Sequence, residues 1–311
     1  DADPKAADSD KALFNAAVAS ENLKRYGAAT ALYERVVRDY PQSSLLDDSL
    51  FRSAVNHQRF FDFDKAVVAY KALATEARFK ASSHRHDALY NAALISDNDQ
   101  SYAQAIELWK QYARDEKTPP DEARQALFRA ALAVEKLGPP ARAEQEQQQF
   151  VSKFGKDPQA LAQVVELQAR IAKLQLQQRN PIDATESLKK TAQLGAKLPA
   201  GSDGAEFAAE ASFQLAERRL ADLEKQRISG SGKELENTIS DFNRRVNDAV
   251  VEYDKVLGYR RANWTLAAYF RMGYVFELYA KALLGAPCPP EVKRLGAKCV
   301  GPKWRPVHQI R

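Results

Sequence analysis

The chain has 311 residues, 45% apolar and 28% charged, a balance that excludes wholesale disorder, collagen-like chains and membrane-embedded classes. Its formal charge of +5 is uneven: residues 287–311 carry six cations and one anion, while the preceding 286 residues hold 40 of each sign. A neutral body argues against a groove built for phosphates, which needs clustered Lys and Arg, so no nucleic-acid partner is expected.

No uninterrupted apolar stretch approaches 18 residues, so no transmembrane helix is predicted. The chain opens without Met or a signal-peptide stretch, so a processed or cut start is expected, with residues 1–9 a flexible segment. Ala, Leu, Gln, Glu, Lys and Arg dominate and Gly numbers only 13, the vocabulary of helices.

A phrase recurs along the chain. Leu13-Phe14-Asn15-Ala16-Ala17-Val18 is followed by Leu50-Phe51-Arg52-Ser53-Ala54-Val55, Leu89-Tyr90-Asn91-Ala92-Ala93-Leu94 and Leu127-Phe128-Arg129-Ala130-Ala131-Leu132. Ala17, Ala54, Ala93, Ala131 and Ala172 lie 37, 39, 38 and 41 residues apart. A second alanine follows each at a distance of 12: Ala29, Ala66, Ala105, Ala143 and Ala184. Four residues later stand Tyr33, Tyr70 and Trp109, with Gln147 and Leu188 in the two later units. Apolar residues at 3- and 4-residue spacing mark one helix face, and a small residue lets two such helices cross closely. The reading is a row of helical hairpins, each needing its neighbours to bury its face.

The sixth unit departs from the period. Phe213 and Ala216 match the first-helix phrase, Ala249 and Tyr253 the second, with 21 extra residues between. The added segment keeps helical spacing at Leu220, Leu223, Leu235, Ile239 and Phe242 on either side of Ser229-Gly230-Ser231-Gly232. It reads either as a protruding hairpin, with Arg227, Lys233 and Glu234 as a candidate partner arm, or as a longer core pair packed on its neighbours. The seventh unit opens with Trp264, Tyr269, Phe270, Tyr274 and Phe276. Its second helix is not predicted, because Pro287, Pro289 and Pro290 follow. The cluster is either the hydrophobic end of the row or a docking face. Pro199 to Gly204 is the best internal boundary. The expected organisation is repeats one to five over 10–200, the extended hairpin and terminal repeat over 201–286, and a Pro-rich basic tail over 287–311.

No phosphate-binding glycine loop, zinc-protease helix or nucleophile elbow is present, so no catalytic, cofactor or metal residues are assigned and the protein is read as a non-enzyme. His84 and His86 lack a nearby third ligand, and His57 is read as packed or groove-lining. Cys288 and Cys299 are the only cysteines. They form a disulfide staple, stay free, or join His308 in a zinc site that lacks a fourth ligand.

These residues resemble the tetratricopeptide repeat, with small residues 12 apart and an aromatic four after the second. Tyr26, Phe63 and Tyr102, three before the second alanine, and Pro41 also match; the usual Trp is replaced by Leu13, Leu50, Leu89 and Leu127. The resemblance covers roughly 10–285 and implies an all-α, right-handed solenoid of about seven helix pairs. Tyr40-Pro41-Gln42-Ser43-Ser44 resembles a repeat ending of tetratricopeptide proteins in bacterial envelope machines. That implies a protein-interaction scaffold, periplasmic or outer-membrane-associated, with room for a lipid anchor beyond this chain; otherwise it is cytoplasmic. The alternatives are the substrate-positioning solenoid of a larger enzyme, such as a lytic transglycosylase, or a chaperone adaptor. The family's Lys/Asn carboxylate clamp is missing. In its place stand Phe14, Val18, Phe51, Val55, Tyr90, Leu94, Phe128 and Leu132, with Arg52, Arg59, Asn91, Asn98 and Arg129 as a polar rim. The apolar stripe either packs against adjacent helices or lines a groove for an apolar peptide or helix.

Overall fold

A computed structural model describes residues 8–287; Cys288, Cys299 and the basic tail lie outside the described residues. Helices alternate with short turns. The hairpins are α1 (Ser9–Asn22) with α2 (Tyr26–Asp39), α3 (Leu46–Arg59) with α4 (Phe63–Thr75), and α5 (Arg85–Asn98) with α6 (Tyr102–Tyr112). Then follow α7 (Pro120–Val134) with α8 (Pro140–Phe154), α9 (Leu161–Gln177) with α10 (Pro181–Gly195), and α11 (Asp203–Glu224) with α12 (Lys233–Leu257). A last helix, α13 (Ala262–Leu284), has no following partner among the described residues. The fold is therefore all-α, with six hairpins and an unpaired thirteenth helix among the described residues.

The alanine pairs are where the sequence pattern requires them. Ala17, Ala29, Ala54, Ala66, Ala93 and Ala105 are all fully buried, and Ala131, Ala143, Ala172 and Ala184 are nearly so. A larger side chain at any of them would push two helix axes apart.

Four of the six hairpin turns share one mechanism. At the end of α1, the Lys24 amide donates to the Glu21 carbonyl and the Arg25 amide to the Ser20 carbonyl. The same two bonds recur at Phe61 and Asp62, at Gln100 and Ser101, and at Arg179 and Asn180. This double bond closes the orphan carbonyls at a helix end and puts the residue after the cap in the left-handed region. Lys24, Phe61, Gln100 and Arg179 accordingly have φ of 58°, 60°, 61° and 59°. None is a glycine, so each of these four turns carries strain. Pro181 opens α10 behind Asn180, whose side chain accepts from the Asp183 amide.

The chain divides into two compact units between Glu146 and Gln147, inside α8. In the first, Tyr70, Leu73, Leu89, Leu108 and Trp109 form the centre of a continuous apolar core with Phe51, Val55 and Leu94 packed at its edge.

In the second, Leu220, Leu223, Ile228, Leu235, Phe242 and Val246 of the lengthened α11–α12 hairpin are buried in one cluster with Ala268 and Val275 of α13. Phe242 stacks on Tyr279 at 6.1 Å. The Arg271 guanidinium pairs with Glu217 at 2.8 Å, and the Tyr274 hydroxyl donates to Glu224 at 3.1 Å. The insertion is therefore not a free protruding arm. A 23-residue α13 reaches its full length and covers it, because two lengthened amphipathic arms still leave an apolar seam that a third helix must bury. The Ser229 to Gly232 turn needs its glycines: Gly230 and Gly232 sit at φ of 95° and 53°. The Pro199 to Gly204 stretch lies inside this unit, where the Gly201 amide donates to the Tyr259 carbonyl at 2.9 Å and its carbonyl accepts from Arg261 at 3.0 Å.

Candidate functional site

The apolar stripe of the first unit is built from a repeated aromatic pair. The first-helix aromatic meets the second-helix aromatic of its own hairpin edge to face. Phe14 and Tyr33 lie 5.5 Å apart, Phe51 and Tyr70 5.7 Å, Tyr90 and Trp109 5.6 Å. Such pairs hold each ring against a fixed partner. Tyr33, Tyr70 and Trp109 are fully buried, so their polar tips need acceptors. Each finds one 12 residues earlier. The Tyr33 hydroxyl donates to Glu21 at 3.0 Å, the Tyr70 hydroxyl to Gln58 at 3.1 Å, and the Trp109 indole to Asp97 at 3.2 Å. Burial, reinforced by Glu21, pushes the Tyr33 hydroxyl up to about 12, and burial alone does the same at Tyr70.

The two acids of this series are also met by arginines two helices further on. Arg52 of α3 reaches Glu21 of α1 at 2.9 Å and lies over Phe14 at 5.8 Å. Arg129 of α7 reaches Asp97 of α5 at 3.5 Å and lies over Trp109 at 5.3 Å. Arg59 also approaches Glu21, at 3.4 Å, and covers Tyr26. The arginines read from the sequence as a groove rim thus tie successive first helices together. Only every second repeat has the acid–arginine pairing, since Asn15 and Asn91 occupy the arginine place in the other two.

This packing decides which stripe residues face outward. Phe128 is buried, and Phe14, Val18, Val55, Leu94 and Leu132 are half-buried. Phe51 and Tyr90 open onto a cleft of about 640 Å³ lined also by His86, Asp87, Asn91, Trp109, Tyr112, Glu122, Gln125, Ala126 and Arg129. Tyr90 is 38% exposed. The cleft has an aromatic floor and a rim of both signs, with Asp87 and Glu122 against Arg129. The Tyr112 hydroxyl donates to Glu122, which with burial raises it above the ordinary tyrosine range. Sequence periodicity found Phe51 and Tyr90 but missed His86, Tyr112 and Glu122, which enter from the start of α5, the end of α6 and the start of α7. The repeat phrases do not reach these places.

The histidines have separate neighbours. His84 stacks on Phe51 at 4.4 Å and bonds Asp48 at 2.5 Å, whereas His86 stacks on Tyr112 at 4.8 Å. His57 is buried between Glu34 at 2.8 Å and Asp62 at 3.4 Å, tying α3 to α2 and to its own turn. Among the described residues no group of three or more His, Cys, Asp or Glu is placed to hold a metal. No described helix is long and apolar enough to cross a membrane. In the second unit Arg227 donates to the carbonyls of Glu224 and Gln226, and Lys233 and Glu234 are exposed at the start of α12.

Stacked hairpins crossing at paired alanines, with an aromatic cleft on the first-helix side, define a helical-repeat fold. The family model of the tetratricopeptide repeat matches residues 11–43. Tetratricopeptide repeats are protein–protein interaction modules. No curated protein matches. Among solved structures, the chain is similar to a tetratricopeptide repeat protein from Parabacteroides merdae ATCC 43184, at 14% identity over 88% of this chain and 98% of that one, TM-score 0.40. It is also similar to MamA of AMB-1, at 16% identity over 61% and 93%, TM-score 0.38. RapI in its apo form aligns at 12% identity over 83% and 98%, TM-score 0.34.

Proposed function

We propose that the protein is a non-enzymatic scaffold that binds partner proteins of a bacterial cell-envelope assembly, with the Phe51–Tyr90 cleft as its docking site. The cleft carries the reading: an aromatic floor takes an apolar side chain, and the flanking Asp87, Glu122 and Arg129 fix its orientation. Fixed ring pairs leave little side-chain freedom to lose on binding. The envelope setting rests on the residues Tyr40 to Ser44. A photo-crosslinking residue in place of Tyr90, introduced in the native cell, should give a discrete adduct with an envelope protein. Gln125→Ala at the cleft edge should weaken that adduct without changing helical content. Adducts of cytoplasmic proteins only would overturn the envelope setting. No adduct from position 90, with adducts from another surface, would overturn the docking site.

A further inference from the structure

The face of α13 turned away from α11 and α12 is apolar and uncovered by the described residues. Leu266, Tyr269, Phe270 and Phe276 are 70%, 58%, 74% and 53% exposed, and Leu283 is partly so. The stripe through positions 266, 269, 273, 276, 280 and 283 steps by three and four residues throughout, the spacing by which one helix seats along another. It contains no charge, and Glu277 beside it is already paired with Lys281 at 2.6 Å. Gly273 sits in the middle of this helix, where glycine is the least favourable residue after proline. A side chain there would meet nothing within 4 Å, so nothing among the described residues requires a glycine.

We propose that this face binds a second copy of itself, α13 against α13 in antiparallel order about a twofold axis between positions 274 and 275. That axis sets Leu266 against the partner copy's position 283, a leucine. It sets Tyr269 against position 280, an alanine, and Gly273 against position 276, a phenylalanine. Tyr269 and Phe276 each then meet a small residue, and the leucines meet each other, with Phe270 at the edge of the contact. An isologous contact requires such self-complementarity. It also explains the glycine: the ring of position 276 needs the space a side chain at 273 would fill. Burying an aromatic side chain hides roughly 150–250 Å². The exposed parts of Leu266, Tyr269, Phe276 and Leu283 then bury on the order of 800 Å² for the pair, in the range of weak, reversible contacts below about 1,200 Å².

The test is sedimentation of the full chain with reductant present, so that Cys288 and Cys299 cannot crosslink copies. The wild type should associate reversibly to a dimer at micromolar concentration. Gly273→Leu should weaken the dimer by about thirtyfold or more, the size of a hot-spot loss, with unchanged circular dichroism. Gly273→Ala should keep or raise helix stability while weakening the dimer. Gly273→Phe combined with Phe276→Gly exchanges the two sizes across the axis and should restore dimerisation. A monomeric wild type overturns the proposal, as does a folded double variant that stays monomeric. A wild type that dimerises only after residues 288–311 are deleted also overturns it, because that segment then covers the face. Association that Gly273→Leu does not alter places the contact elsewhere and overturns it as well.

Discussion

Arg52 of α3 donates to the carboxylate of Glu21 in α1 at 2.9 Å, past the intervening α2. Glu21 thereby serves two roles, acceptor for the buried Tyr33 hydroxyl and anchor for the next repeat. The two roles have different energies. A buried hydroxyl without a partner costs about 1–3 kcal/mol, whereas a half-exposed ion pair contributes about 1 kcal/mol at most. Glu21→Ala should therefore destabilise the first unit by about 1–3 kcal/mol, and Arg52→Ala by no more than about 1 kcal/mol. Urea unfolding followed by circular dichroism ranks them; a larger loss for Arg52→Ala would reverse the assignment.

Stability should fall on the alkaline side. Tyr33 and Tyr70 hold their protons up to about 12 in the fold, above the ordinary 10.0. Between those values the folded state binds more protons than the unfolded one, so the stabilisation is complete below pH 10 and is lost as pH rises toward 12. Each contributes on the order of 2 kcal/mol to that loss. Thermal melts across pH 8 to 12 should show the decline, and Tyr33→Phe, which has no proton to lose, should flatten it. An equal slope in the variant would remove Tyr33 from the account.

The strained turns offer a stabilising substitution. Phe61 is a bulky residue at φ 60° and is 78% exposed, with Phe63 against its ring at 6.0 Å. Phe61→Gly should raise stability by about 1 kcal/mol, because glycine reaches this region without strain. Phe61→Ala, which keeps a Cβ, should gain little. A loss for the glycine variant would mean that the ring packing outweighs the backbone strain.

The lengthened hairpin should be needed for folding of the second unit. Phe242 is 4% exposed and stacks on Tyr279. Phe242→Ala should cost about 3–5 kcal/mol, the range for removing a buried ring. Replacing residues 221–244 by a Gly-Ser turn should uncover Tyr274, Leu278 and Tyr279 and cause partial unfolding or aggregation. An unchanged thermal transition would show that α13 stands without the arm.

The alanine pairs and the rings four places after Ala29, Ala66 and Ala105 follow from local spacing. Ala17 with Ala29, or Ala93 with Ala105, can cross closely only if both are small, and that condition is visible in one dimension. The candidate site was half legible for the same reason. Phe51 and Tyr90 lie on the repeat phrase, but Tyr112 and Glu122 come from the end of one helix and the start of the next. The tertiary structure alone decided that Arg52 and Arg129 bond acids of earlier repeats, Arg129 while also lining the cleft. It also decided that α13 covers the α11–α12 seam. A charged or apolar side chain is satisfied by whichever partner lies within a few ångströms. Neighbours 31 or 37 residues apart, such as Glu21 with Arg52 and Phe242 with Tyr279, are set by how the helices pack.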